Sequence, residues 1–302
     1  TVRLTRGLAP GRYRVQETSQ AEYFYYTPHS VPEDPWYPVR TLTVDDNGGV
    51  AVCAIANIPK PDAPKLQIDK TVYSVNGQQG ATQVPSLQAG WQTVVYRISG
   101  FARTPAGDPI QLPTDWLEVS DQELEFRDAG GNLLTDVAHY TLSVTVGKAY
   151  YEATPLNPSP VQEVLYASVY GVTAAGAETL VATRNVSDTA QKVSFPENTY
   201  AGFRVRYGVT NGGGGIAGLK AGFTTDPILA EMRFAQDDAA TVVPATSLRN
   251  KAAVRLQYSL GGVDSVASSW TMDVAQIDTE PEPSMPHMRL TMTADKLNVK
   301  PQ

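Results

Sequence analysis

The stretch Leu8-Ala9-Pro10-Gly11-Arg12-Tyr13-Arg14-Val15-Gln16-Glu17-Thr18 decides the reading of this chain. A Pro-Gly turn leads into an alternating run, the signature of a β-strand. A period of two places Tyr13, Val15 and Glu17 on one face and Arg14, Gln16 and Thr18 on the other. Glu17 therefore falls on the side expected to be buried. A buried unpaired carboxylate is costly, so Glu17 must be exposed, satisfied or chemically employed.

The same texture continues outward. Gly (24) and Pro (22) punctuate short runs rich in Val, Thr, Tyr and Leu, and regular turn signals of this kind predict β-sandwiches. No amphipathic helix stands out; Asp226–Arg233 is the one stretch expected to form a helical turn or two. A length of 302 residues suggests two domains, each large enough for a core. The net charge of −7 is mixed along the chain, so there is no footprint for nucleic acid or an anionic membrane. No apolar run reaches membrane-spanning length. The single cysteine, Cys53, lies in a strand pattern and reads as a buried inert thiol. The three histidines (His29, His139, His287) are scattered, which speaks against zinc and against hydrolase chemistry. No cofactor is expected.

The opening phrase closely resembles L-x-P-G-x-Y-x-V-x-E-T, the pattern of the collagen-adhesin B-type domain of Gram-positive surface adhesins and pilins. The last-strand pattern of that family is matched by Val50-Ala51-Val52-Cys53-Ala54-Ile55-Ala56-Asn57-Ile58-Pro59-Lys60. The resemblance implies that Glu17 is the acid promoting a spontaneous amide (isopeptide) bond, with Asn57 as the acceptor. It covers only the back half of such a domain. The first-strand Lys should precede Thr1, so the chain is expected to be a piece of a longer protein, with no bond formed inside residues 1–60.

Ile58-Pro59-Lys60-Pro61-Asp62-Ala63-Pro64-Lys65 reads as a stiff spacer, because closely spaced prolines favour extended chain. Asp278–Pro286 reads as a second, acidic spacer, and Met288–Lys296 as the opening strand of another module. The expected division is therefore 1–60, the C-terminal part of a B-type domain; 61–65, a linker; 66–277, a large β-sandwich with an insertion at about 135–235; 278–287, a linker; and 288–302, the start of a further β module. Within 66–277, Ala89–Ile98 resembles the P-G-D-x-V-x-Y-x-I repeat of bacterial surface stalks, with Trp91 where Asp is usual. Leu248–Val254 resembles that repeat's late N-x-A-x-V strand. Glu163–Gly171 and Tyr200–Tyr207 faintly resemble a discoidin-like, galactose-binding jelly roll. The fold class is all-β: tandem immunoglobulin-like sandwiches, the second with a β-rich insertion.

Strand faces point to a second constellation. Lys70 lies with Leu66, Ile68 and Val72; Asp121 lies with Leu117 and Val119; Asn250 lies with Leu248, Ala252, Val254 and Leu256. Amide formation needs a neutral amine, a polarised carboxamide carbon and a group that moves protons as ammonia leaves. Burial favours all three, since it suppresses both charged forms. Simpler roles exist for each residue: Lys70 snorkelling from a strand end, Asp121 capping a turn, Asn250 bonding to backbone.

Other signals are weaker. Asn211-Gly212-Gly213-Gly214-Gly215 lacks the Lys-Ser/Thr of a phosphate loop. Asp45 and Asp46 sit in an expected hairpin turn, and they and the Asp237-Asp238 pair are weak calcium candidates, since only oxygen ligands are needed. The aromatic cluster Tyr23-Phe24-Tyr25-Tyr26 with Trp36 and Tyr37 reads as packing. Together these features describe a non-enzymatic adhesin or pilin-like stalk whose only chemistry is autocatalytic cross-linking. The alternatives are a carbohydrate- or matrix-protein-binding module, or an accessory region of a secreted enzyme. The resemblance implies an extracellular, cell-wall-anchored parent protein. Its partners would be neighbouring domains of that protein, a sortase, and a host glycan or matrix protein; no membrane insertion is expected.

Overall fold

The computed structural model describes residues 9–16, 23–24, 39–44, 58–59, 64–210, 216–239, 241–260 and 263–279. In the front part, β1 (Gly11–Gln16), β2 (Tyr23–Phe24), β3 (Val39–Val44) and β4 (Ile58–Pro59) form two antiparallel pairs, β1 with β3 and β2 with β4. The Tyr13 hydroxyl donates to the Ala9 carbonyl at 2.6 Å, which ties β1 to the Pro-Gly turn before it. Glu17, Asp45, Asp46, Cys53 and Asn57 lie outside the described residues.

The larger part opens with β5 (Asp69–Val75), β6 (Gln78–Gln79), β7 (Gln92–Ser99) and β8 (Thr114–Arg127). Next come β9 (Leu133–Leu134), β10 (Val137–Val146), β11 (Ala149–Tyr151), β12 (Tyr166–Val172), β13 (Glu178–Asn185) and β14 (Gln191–Ser194). The last are β15 (Gly202–Thr210), β16 (Ile216–Ala217), β17 (Phe223–Thr225), β18 (Ile228–Gln236), β19 (Ser247–Leu260) and β20 (Val263–Gln276).

Beside the separate pair β11-β17, these strands make a six-stranded sheet, β14-β10-β18-β7-β5-β6, and an eight-stranded one built on β13-β12-β15-β8-β19-β20 with β9 and β16 at its sides. Their inner faces share one core, with Val94, Tyr96, Ile98, Met232 and Phe234 from the first sheet and Leu117, Val119, Phe203, Val254 and Leu256 from the second. The chain is thus an all-β sandwich, as the turn-punctuated sequence predicts.

Two expectations change on contact with this topology. Strands from 135–235 are woven into both sheets: β10, β14 and β18 pair in the first, and β12, β13 and β15 in the second. The stretch read as an insertion supplies central strands, because β18 fills the place between β10 and β7. The stretch expected to turn helically is instead the start of β18. From Ile228 to Gln236 buried and half-buried residues alternate without a break, and a period of two excludes a helix. The described residues contain one single-turn 3-10 helix, Leu87–Ala89, and no α-helix.

Candidate functional site

Lys70 lies in β5 between exposed Asp69 and Thr71, and alternation turns it inward, where it is 5% exposed. Asp121 in β8 and Asn250 in β19 are both 0% exposed. Snorkelling and turn-capping are therefore not what Lys70 and Asp121 do here. Lys70 Nζ donates to Asp121 Oδ2 in a buried ion pair that bridges the two sheets.

Local features hold Asp121 in place. The β8–β19 register shifts between Lys251 and Ala252, so Gln122 is bulged out. The bulge lets Leu124 and Phe126 return to the core side after Asp121 has used an inward position. On the other flank, Gly202 of β15 passes so close that a Cβ there would stand 2.4 Å from the Asp121 carbonyl oxygen. Only glycine permits that approach.

Asn250 has no backbone hydrogen-bonding role for its side chain. Its Nδ2 donates weakly to Met232 Sδ at 3.6 Å, and its Oδ1 is buried without a partner. The Tyr96 ring, from β7, lies under Lys70 with the ammonium nitrogen 4.4 Å from its centroid. The Tyr96 hydroxyl is near the Asn250 carboxamide without a formed hydrogen bond. Asp121 Oδ1 and Asp273 Oδ2 are likewise buried and without partners among the described residues. Asp273, on β20, is the residue directly opposite Asn250.

Four orphaned polar atoms in one place are a strong signal. Each costs about 1–3 kcal/mol if left unpaired. Electrostatics point the same way. Burial lowers the Lys70 ammonium from its usual range, with Asp121 as the opposing influence. Burial raises the Asp121 carboxyl, with Lys70 opposing. Desolvation is the leading cause for both, so burial works against the charged form of each partner. Burial also raises Asp273, with the Lys70 charge opposing. A buried amine, a buried carboxyl and an unpartnered carboxamide carbonyl are the components of amide exchange.

The structure thus brings Lys70 into contact with Asp121 and places Asn250 in the same buried cluster. Asp237 and Asp238 are exposed, and Asp237 Oδ1 accepts from the Ala239 backbone amide at 3.1 Å. Among the described residues no group of three or more acidic, histidine or cysteine side chains converges as a metal site. Sequence reasoning missed Tyr96 and Asp273. Tyr96 alternates with Val94 and Ile98 and was findable. Asp273 was not, because the apolar residues of β20 face outward: Val266, Trp270 and Val274 are more than half exposed.

No family model and no curated protein matches the chain. Among solved structures, AvmM, which catalyses macrocyclization in alchivemycin A biosynthesis, is 10% identical over 72% of this chain and 92% of its own, with a TM-score of 0.23. BcpA, the major pilin subunit of Bacillus cereus, is 13% identical over 90% of this chain, with a TM-score of 0.25. The chain spans 55% of that pilin's length. Superpositions this loose carry nothing about function, and the all-β architecture rests on the strands themselves.

Proposed function

We propose that residues 64–279 are a load-bearing module of a bacterial surface stalk, closed by an intramolecular amide between Lys70 and Asn250. The observation that carries this is the fully buried Lys70–Asp121 pair beside an Asn250 whose carbonyl oxygen has no partner. In the proposed reaction the Lys70 ammonium passes one proton to Asp121. The free amine then attacks Asn250 Cγ, forming the new C–N bond. The Cγ–Nδ2 bond breaks as Nδ2 gains a proton, and the attacking nitrogen gives up its second proton. Ammonia leaves, and the proton first taken by Asp121 stays there or departs as ammonium.

Such a bond would join an early strand of one sheet to a late strand of the other. Tension entering near Leu66 and leaving near Ile277 would pass through it, sparing the loop of about 180 residues between Lys70 and Asn250. The chain has one cysteine, so an internal disulfide cannot do this work. The opening phrase supports the surface setting, with neighbouring domains of the same protein as partners. Intact-mass measurement tests the reading: the folded chain should be one ammonia, about 17 Da, lighter than its sequence. Peptide mapping should recover Lys70 joined to Asn250. A folded chain of unaltered mass would end the proposal.

A further inference from the structure

Asp273 stands opposite Asn250 across the β19–β20 ladder, and both side chains turn toward the core. Its Oδ2 is buried and unpartnered, while the residue as a whole is only half-buried. The groups facing it are Lys70 from β5, Tyr96 from β7 and Asn250 from β19. No arginine satisfies it among the described residues, in contrast to Glu118 on the outer face of the same sheet.

We propose that Asp273 is a second acid of this site, protonating the Asn250 nitrogen as it leaves while Asp121 serves the amine. This rests on the bond-forming reading above. The proton count motivates the division. The lysine ammonium must shed one proton before attack and a second after it. Asp121 takes the first and, holding it, cannot take the second. A protonated Asp273 gives its proton to Nδ2 as Cγ–Nδ2 breaks and is restored by the second lysine proton. Ammonia then departs on the half-exposed side, and no oxidant or co-reactant is needed. The Lys70 charge opposes the raised carboxyl of Asp273, so the acid form becomes easier to hold once Lys70 has been neutralised.

The test uses the full chain made by cell-free translation, with intact mass followed over time after synthesis is stopped. Wild type should lose ammonia quickly. Asp273→Asn, which keeps the shape but cannot act as an acid, should lose it about 100-fold more slowly, within the usual range for one general acid. Asp273→Thr, a good strand former, should be equally slow and guards against misfolding of the first variant. Asp273→Glu should recover most of the rate. The wild-type rate should fall on the alkaline side as Asp273 ionises, and that limb should vanish in Asp273→Asn. Equal rates in wild type and a folded Asp273→Asn would overturn the second acid while leaving the bond intact. A wild-type chain that never loses ammonia would overturn both.

Discussion

Glu118 and Asp121 lie on one strand, β8, and face opposite ways. Both are almost wholly buried, at 3% and 0% exposure. Glu118, on the outer face, receives Arg206 Nη2 at 2.7 Å and Nε at 3.2 Å, with Arg204 Nε 3.4 Å from its other oxygen. Arg204 in turn pairs with Glu178 at 2.9 Å, and Arg206 lies over Trp116. Asp121, on the inner face, has a single lysine and an oxygen with nothing to accept from. The lesson is that burial alone does not activate a carboxylate. A guanidinium keeps its proton and locks the pair as ions, whereas a buried amine can surrender one.

The largest effect should separate these two carboxylates covalently. Asp121→Ala should abolish ammonia loss and remove a cross-link worth about 5 kcal/mol on the chain-entropy model. Denaturant melts with intact mass on the same sample would check this. Glu118→Ala should leave the mass deficit untouched. Ammonia loss by a folded Asp121→Ala chain would show that another group moves the protons.

The next effect concerns what the inner pair costs when it is not used. Lys70→Met alone strands a buried carboxyl. Combining it with Asp121→Leu should recover about 3–5 kcal/mol relative to that single variant, because the stranded carboxyl is removed and a matched apolar pair avoids desolvating ions. Neither chain can cross-link, so the comparison isolates burial from covalent chemistry. The same swap on the outer face should recover nothing, since the arginines there remain partly exposed.

How far the sequence reveals this contrast depends on the strand. Lys70, Asp121 and Asn250 each alternate with Leu, Ile or Val neighbours, so their inward orientation is legible residue by residue. Their meeting is a tertiary matter: β5 and β8 belong to different sheets, and strand alternation says nothing of which sheets face each other. The bulge at Gln122 was also hidden, because Leu117-Glu118-Val119-Ser120-Asp121 alternates normally and the irregularity lies just beyond. Asp273 reads backwards. Along β20 the side chains at Ser265, Ala267, Ser269 and Thr271 turn inward, and the large apolar ones, Val266, Trp270, Met272 and Val274, turn out. A hydrophobicity rule assigns that strand the wrong face. Residues 135–235 pose a related difficulty: the length of 66–277 and the stalk-repeat resemblances at its two ends suggest an inserted unit, while the register places β18 at the centre of a sheet.

A smaller effect should come from the backbone that holds Asp121. Gly202→Ala would drive a methyl into the Asp121 carbonyl and to 2.9 Å from Gln122 Cα. The strands must part, at a cost of about 1–3 kcal/mol typical of overpacking. Cross-linking should be slower than in wild type, measured by the time course of intact mass. Glu118 points away from this contact, so its arginine contacts should survive. Smaller again, Glu118→Gln should cost about 1 kcal/mol, shrinking at high salt, with no change in mass.

The smallest effect is one of pH, and it distinguishes the inner acids from each other. In an Asn250→Ala chain, which keeps Lys70 as an amine, the Lys70–Asp121 pair shares one titrating proton, whether it sits on the lysine or on the carboxyl. The number of bound protons does not change, so the pair contributes no slope between the ordinary carboxylate and amine ranges. Asp273 has no such bound donor. Its carboxyl is raised by burial above the ordinary 3.8, so the folded state holds its proton more tightly than the unfolded state does. That contribution is complete below 3.8 and is lost as pH rises through the raised value. Thermal unfolding of Asn250→Ala should therefore drift downward over that window relative to Asn250→Ala/Asp273→Asn. Parallel curves for the two chains would mean that the fold does not hold the Asp273 proton, and that the inner face carries one working acid rather than two.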